Sequence, residues 1–190
     1  TDNMEIDAIL DRIYQLPDSS KARLTDTVSE VNHPKGFRLL HAGKVERDIY
    51  FVKEGLVRAF INSLGDEITF WFGKEGDTIV SMQSYVANRK GYEDIVLLED
   101  SILYRLNMIS LNHLFSEDIH IANWGRKFAE QELMKTEKRL IAQQFKTATE
   151  RYQDLIDNSP ELLQRVQLSY IASYLGITQV SLSRIRANLK

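Results

Sequence analysis

Apolar positions along the chain change their period twice. Residues 5–28 place Ile6, Ile9, Leu10, Ile13 and Tyr14 at helical spacing. Pro17-Asp18-Ser19-Ser20 breaks this run before a second short helix that ends near Val28. From about 30 to 107 the texture is β-rich. Glycines at 36, 43, 55, 65, 73 and 76 separate short runs, among them Phe37–Leu40, Ile49–Val52, Leu56–Ile61, Glu67–Phe72, Ile95–Leu98 and Ile102–Leu106. Asn62-Ser63-Leu64-Gly65 reads as a hairpin loop, and Gln83–Tyr92 as a loop or short helix. Many short strands with turns at this spacing predict a barrel, roll or sandwich.

Near residue 110 the period becomes helical again. Between 110 and 145 there is no proline and one glycine, Gly125. Ala129, Leu133, Thr136 and Leu140 step by four and three residues, flanked by Phe128, Met134 and Ile141. This is a coiled-coil seam. A helix of about 30 residues is roughly 45 Å long, more than one small β module covers. The spacing therefore predicts a dimer seam of Phe128, Ala129, Leu133, Thr136 and Leu140, facing the same helix of a second subunit. The alternative is two shorter helices broken at Gly125 and packed internally.

The last 45 residues are punctuated helices. Thr147-Ala148-Thr149-Glu150 is a capping box that starts a helix to about Asp157. Asn158-Ser159-Pro160 supplies a turn, a cap and a first-position proline for the next helix. Leu168 to Arg186 then reads as helix, tight turn, helix. Ala172 permits a close crossing, and Gly176 stands where a left-handed residue is needed. Ile171, Leu175, Ile177, Leu182 and Ile185 form the buried seam, and Thr178 caps the second helix. That helix presents Gln179, Val180, Ser181, Ser183, Arg184 and Arg186, residue types suited to bases and phosphates. An ordinary helical hairpin shares the apolar spacing, but not the combination with the small residue, the turn glycine, the cap and the basic outer face.

Charge sharpens this picture. The whole chain is −3, yet no Asp or Glu follows Glu161, and Arg165, Arg184, Arg186 and Lys190 make that tail +4, leaving −7 for the rest. A cationic end on an acidic body suits local phosphate contact. With 43% hydrophobic and 27% charged residues the composition is that of a soluble globular protein, and no apolar run reaches the roughly 18 residues of a membrane span. The start, Thr1-Asp2-Asn3-Met4-Glu5, is not a signal peptide. The absence of cysteine excludes disulfides, Cys-based zinc sites, iron–sulfur clusters and thiol nucleophiles, and suits a cytoplasmic location.

Ile171-Ala172-Ser173-Tyr174-Leu175-Gly176-Ile177-Thr178 with Leu182-Ser183-Arg184-Ile185-Arg186 resembles the DNA-binding helices of the Crp/Fnr family of transcription regulators. Asp48-Ile49-Tyr50-Phe51-Val52-Lys53-Glu54-Gly55-Leu56-Val57-Arg58 resembles that family's strand–turn–strand signature. Phe72-Gly73-Lys74-Glu75-Gly76-Asp77-Thr78-Ile79 resembles the stretch leading into its effector pocket. The resemblance implies an α+β chain. Residues 1–110 would be a β-roll sensor (a double-stranded β-helix like the cyclic-nucleotide-binding domain) with flanking helices. Residues 111–145 would be the long dimerisation helix and 146–190 the helix-turn-helix domain. It implies a homodimer on a two-fold site in double-stranded DNA, read through Thr178, Gln179, Val180, Ser181, Ser183, Arg184 and Arg186. RNA polymerase would be a further partner. It places the effector pocket at Val80, Ser81, Met82, Arg89, Tyr92 and Thr136.

The sequence also departs from the family. Cyclic-nucleotide binders have a Gly-Glu-Leu turn and an Arg-Ser or Arg-Thr pair around the phosphate. Here Val80-Ser81-Met82 and Gly91-Tyr92 hold those places, followed by Glu93 and Asp94. Carboxylates repel phosphate, so cyclic AMP is not expected to bind in the family manner, although Arg89 and Lys90 are close by. Gln179 and Val180 stand where relatives often have Arg and Glu, so the half-site should differ, while Arg184 matches the guanine-reading arginine. The chain ends at Lys190, where many relatives continue into a β-wing, so one set of backbone contacts is expected to be missing.

Two other classes compete. A cupin-like metalloenzyme needs paired histidines and a carboxylate on adjoining strands, but His33, His41, His113 and His120 are scattered. No phosphate loop, serine nucleophile elbow or zinc-protease motif occurs. No cofactor and no catalysis are therefore expected. The second competitor is a protein-interaction module that uses the terminal helices.

Overall fold

The computed structural model describes residues 4–189. Thr1, Asp2, Asn3 and Lys190, which carry the reading of the N-terminus and one charge of the basic tail, lie outside the described residues. The chain divides into two compact units. One takes in the chain through Arg58 together with Phe72–Leu133; the other takes in Ala59–Trp71 and the chain from Met134 onward.

The first unit opens with helices α1 (Ile6–Ile13) and α2 (Asp18–Thr25). Strands follow along the chain, with most of β4 and β5 belonging to the second unit: β1 (Val28–His33), β2 (Arg38–Leu40), β3 (Asp48–Glu54), β4 (Val57–Ser63), β5 (Asp66–Gly73), β6 (Thr78–Ile79), β7 (Asp94–Leu97) and β8 (Ser101–Asn107). Helix α3 (Met82–Ala87) sits between β6 and β7. The strands form two four-stranded sheets, ordered β1-β8-β3-β6 and β2-β7-β4-β5. Ile49 pairs with Leu106 and Phe51 with Tyr104 across β3 and β8. This is the expected β-roll.

Two strands escape the apolar pattern. Val28, expected to end a helix, instead begins β1, an edge strand whose only sheet neighbour among the described residues is β8. Its residues Val28-Ser29-Glu30-Val31-Asn32-His33 are mostly polar because an edge strand covers little core. Strand β6 is two residues long, too short for any periodicity.

The long helix also differs from expectation. It is two helices, α4 (Met108–Glu117) and α5 (Ile119–Phe145), broken at Asp118 rather than at Gly125. Asp118 is extended, and its Oδ1 accepts the His120 amide at 2.9 Å and the Ile121 amide at 3.3 Å. It acts as the cap of α5. Burial pushes the Asp118 carboxyl up, but bonds from Ser20 and from those two amides, with the Arg23 charge, outweigh it and hold it below the usual range. Gly125 lies inside α5, where a β-carbon would stand 2.4 Å from Phe115 Cζ. Its role is close helix packing, not a break.

The core of this unit joins α1 (Ile9, Leu10), the roll (Ile49, Phe51, Leu106), α4 (Leu111, Leu114) and the start of α5 (Ile121, Trp124). Trp124 is fully buried; its Nε1–H donates to the Leu10 carbonyl at 3.1 Å, and its ring stacks on Phe128 at 6.0 Å.

The second unit holds the β4–β5 hairpin, the rest of α5, and helices α6 (Ala148–Asn158), α7 (Leu162–Arg165), α8 (Leu168–Tyr174) and α9 (Gln179–Asn188). The capping box of α6 is complete: Thr147 Oγ1 accepts the Glu150 amide at 3.2 Å and Glu150 Oε2 accepts the Thr147 amide at 2.7 Å. Pro160 falls in the turn before α7 rather than inside that helix. Tyr152, Leu155, Leu162, Val166, Ile171, Ala172, Leu175 and Leu182 are buried.

Candidate nucleic-acid interface and effector site

The turn between α8 and α9 follows from its hydrogen bonds. Gly176 has φ +67°. Its amide donates to the Ser173 carbonyl at 3.0 Å, and the Ile177 amide reaches back to the Ala172 carbonyl at 3.0 Å. These two bonds are a Schellman motif, which ends a helix and reverses the chain at a left-handed residue. Thr178 then caps α9, its Oγ1 accepting the Ser181 amide at 3.1 Å. Arg151 of α6 clamps the turn from behind, donating through Nη2 to the Leu175 carbonyl at 2.7 Å and through Nη1 to the Lys146 carbonyl at 2.6 Å. Ser173 ties α8 to the hairpin: it accepts the Thr69 amide at 2.9 Å and donates to the Glu67 carbonyl at 3.0 Å.

Helix α9 is buried through Leu182 alone, which is 0% exposed. Thr178, Gln179, Val180, Ser183, Arg184 and Arg186 are exposed; Ser181 and Ile185 are half-buried. Among the described residues, neither Arg184 nor Arg186 forms a side-chain hydrogen bond or an ion pair. The outer face of α9 thus carries two uncommitted guanidinium groups, that of Arg186 in the last turn, on a helix whose N-terminus is capped by a hydroxyl. Chemically, it can donate to phosphates and to base edges.

The roll contains a second polar locality. Ser81, Ser84, Glu93 and Asp94 are all buried. Asp94 Oδ1 accepts from Arg38 Nη1 and from the Ala42 amide, both at 3.2 Å. Ser84 Oγ accepts the Glu46 amide at 3.0 Å and donates to the Arg89 carbonyl at 2.9 Å. Glu93 Oε2 accepts the Tyr92 amide at 3.0 Å. No three His, Asp or Glu side chains gather as a metal site among the described residues.

Comparison with known proteins places this architecture. Residues 30–118 match the family model of the cyclic nucleotide-binding domain. No curated protein sequence matches the chain. Among solved structures, FixK2 from Bradyrhizobium japonicum aligns with a TM-score of 0.73 at 21% identity, over 85% of this chain and 84% of that one. A protein from Eubacterium rectale assigned to the Crp/Fnr family of transcriptional regulators gives 0.71 at 16% identity, over 90% and 82%. The Catabolite Activator Protein of Thermus thermophilus gives 0.60 at 20% identity, over 95% and 86%. The chain has the fold of the Crp/Fnr regulators.

Within this Crp/Fnr-type fold, the expected residues divide by burial. Of the residues expected to read DNA, Gln179, Val180, Ser183, Arg184 and Arg186 are exposed on α9 and Thr178 at its cap, while Ser181 is half-buried. The seam set divides: Ala129, Leu133, Thr136 and Leu140 are exposed, but Phe128 is 2% exposed and stacked on Trp124. Phe128 is therefore core rather than seam, because the helical face it shares with Trp124 turns into the first unit. Of the pocket set, Ser81 is buried and Val80 half-buried, while Met82, Arg89, Tyr92 and Thr136 are exposed. Arg89 places its backbone against α3, with its amide on the Gln83 carbonyl. Gly91 and Glu93, which sequence reasoning treated only as obstacles to phosphate, are buried beside Ser81. The signal that could have found them is an acidic residue in a run otherwise turning into an apolar strand, Asp94–Leu97. Ser173 and Arg151 were also missed as supports of the turn; both act on main-chain atoms, which leave no pattern in the sequence.

Proposed function

We propose that the chain is a DNA-binding transcription regulator of the Crp/Fnr type. It would act as a homodimer, with 1–110 as sensor, 111–145 for dimerisation and 146–190 for reading DNA. The carrying observation is the exposed face of α9, where Gln179, Val180, Ser183, Arg184 and Arg186 project from a helix held by a Schellman turn and a threonine cap. In this reading Arg184 donates two bonds to a guanine, Val180 packs on a thymine methyl, and Arg186 contacts phosphate. The absence of Asp and Glu after Glu161 keeps that surface cationic.

The exposed α5 positions Leu133, Met134, Leu140, Ile141 and Phe145 support the homodimer, since a monomer in water gains nothing by leaving five large apolar groups along one helix uncovered. The β-roll supports a small-molecule effector. Cyclic AMP in the family manner is disfavoured by Glu93 and Asp94, which directly follow Gly91-Tyr92 at the place of the phosphate clamp.

Salt dependence of binding to random duplex DNA tests the reading. Affinity should fall steeply as salt rises. Arg184→Ala should then cost roughly 1–3 kcal/mol at one base position of a selected two-fold site. Absence of DNA binding would sink the proposal. Tight binding to a protein partner, insensitive to salt, would favour the interaction module instead.

A further inference from the structure

Two buried polar atoms of the roll have no hydrogen-bond partner, and they face each other across one glycine. Glu93 is 6% exposed; its Oε1 is buried and unpartnered, although Oε2 holds the Tyr92 amide. Ser81 is 1% exposed and stands at the cap position of α3, yet its Oγ caps nothing and has no other partner. A β-carbon on Gly91 would stand 2.6 Å from Ser81 Oγ and 3.1 and 3.2 Å from the two Glu93 oxygens. Both side chains therefore converge on the same point beside the Gly91 α-carbon. The neighbouring buried polar groups are different: Asp94 and Ser84 each have at least two partners.

Leaving a buried carboxylate oxygen without a donor is costly, and such a group calls for a specific explanation. No cation of the chain supplies it: among the described residues Glu93 has no ion pair, and Arg89 and Lys90 are exposed. We propose that Ser81 and Glu93 form a binding subsite for a small organic cation, the protonated amine of an effector. An ammonium group brings three donors and no acceptor. One donates a charge-assisted bond to Glu93 Oε1 and another a bond to Ser81 Oγ. A phosphate brings only acceptors and negative charge, so it fails at the same point. This site has the opposite charge preference from a cyclic-nucleotide pocket. Its effect on gene control rests on the DNA-binding reading; the binding itself does not.

Thermal unfolding of the full chain tests the proposal, with methylammonium chloride as probe and sodium chloride at equal ionic strength as reference. The midpoint should rise with methylammonium above its value in sodium. Glu93→Gln, which keeps the shape and removes the charge, should abolish the difference. Gly91→Ala, which fills the point of convergence, should do the same without altering charge. If Glu93→Gln does not fold, Ser81→Ala should weaken the response about tenfold. Identical curves in the two salts, or an undiminished response in Gly91→Ala, would overturn the proposal, as would micromolar binding of cyclic AMP to the same roll. DNA binding is measured on the same samples. Intact DNA binding with no amine response removes only the effector proposal; an amine response with no DNA binding removes only the regulator reading.

Discussion

The two halves of α5 carry similar side chains and end in opposite surroundings. In the first half Ile121, Trp124 and Phe128 are at most 2% exposed, the first two in the core with α1 and the roll and Phe128 stacked on Trp124. In the second half Leu133, Met134, Leu140, Ile141 and Phe145 are between 49% and 79% exposed. The helix is about 40 Å long at 1.5 Å per residue, and one small unit covers only part of that length. Periodicity shows that a face is to be buried. It does not show whether the chain's own core or another chain does the burying.

The sharpest way to test the first half is Trp124→Ala. The ring stacks on Phe128, meets Phe51 edge-on at 6.3 Å and donates to the Leu10 carbonyl. Its removal should cost about 3–5 kcal/mol, a large part of the total stability of a domain. Urea unfolding measures it. A cost under about 1 kcal/mol would mean that the first half of α5 is not core.

The second half predicts the reverse behaviour. Leu133→Asp with Leu140→Asp should leave monomer folding nearly unchanged, because both side chains are already in water. The same pair should convert a dimer to a monomer in light scattering, since two carboxylates per chain would be buried without partners at the seam. A dimer that survives the double change would place the interface elsewhere. A chain that unfolds would mean that these residues are covered by its own core after all.

The same distinction explains what the sequence made legible. Elements whose burial is local were readable: the capping box at Thr147, the turn at Gly176 and the cap at Thr178 each rest on neighbours within a few residues. The order of roll, long helix and helix-turn-helix was readable from changes of period. What escaped depended on distant partners. Phe128 adjoins the seam position Ala129 in the sequence, yet its ring is covered by Trp124 and by Tyr85, 43 residues earlier. Asp118 is the exception, since its partners, the His120 and Ile121 amides, are local; a cap that interrupts a run of helix formers leaves the period on either side unchanged. At the candidate sites, the exposed face of α9 followed from helical geometry alone. The meeting of Ser81 with Gly91 and Glu93 joins two segments through the roll, which no spacing rule encodes.

A smaller effect separates the second unit from the first. Its helices α6 and α9 each start at a threonine whose side chain accepts a main-chain amide. Thr147→Ala removes the acceptor of the Glu150 amide and should cost about 1 kcal/mol. Amide exchange should quicken in α6 and leave the Trp124 turn of α5 unchanged. Equal loosening of both would show that the two regions unfold as one.

The smallest expected effect is a pH dependence of that same cap. The Thr147 amide and hydroxyl bonds hold the Glu150 carboxyl below its usual range, with Lys146 helping and Asp154 opposing. A folded-state value below the unfolded one means that the ionised form stabilises the fold. The contribution is complete above the unfolded carboxyl's value of about 4.3 and is lost as pH falls through the lower folded value. Glu150→Gln keeps an oxygen for the Thr147 amide but does not titrate. The native chain should therefore melt above Glu150→Gln at pH 6, and the gap should close as pH falls toward 3. Glu150 is fully exposed, so the gap is modest, and raising salt should narrow it. Parallel melting temperatures across that range would mean that the carboxylate's charge does nothing for α6. The cap would then act through shape alone.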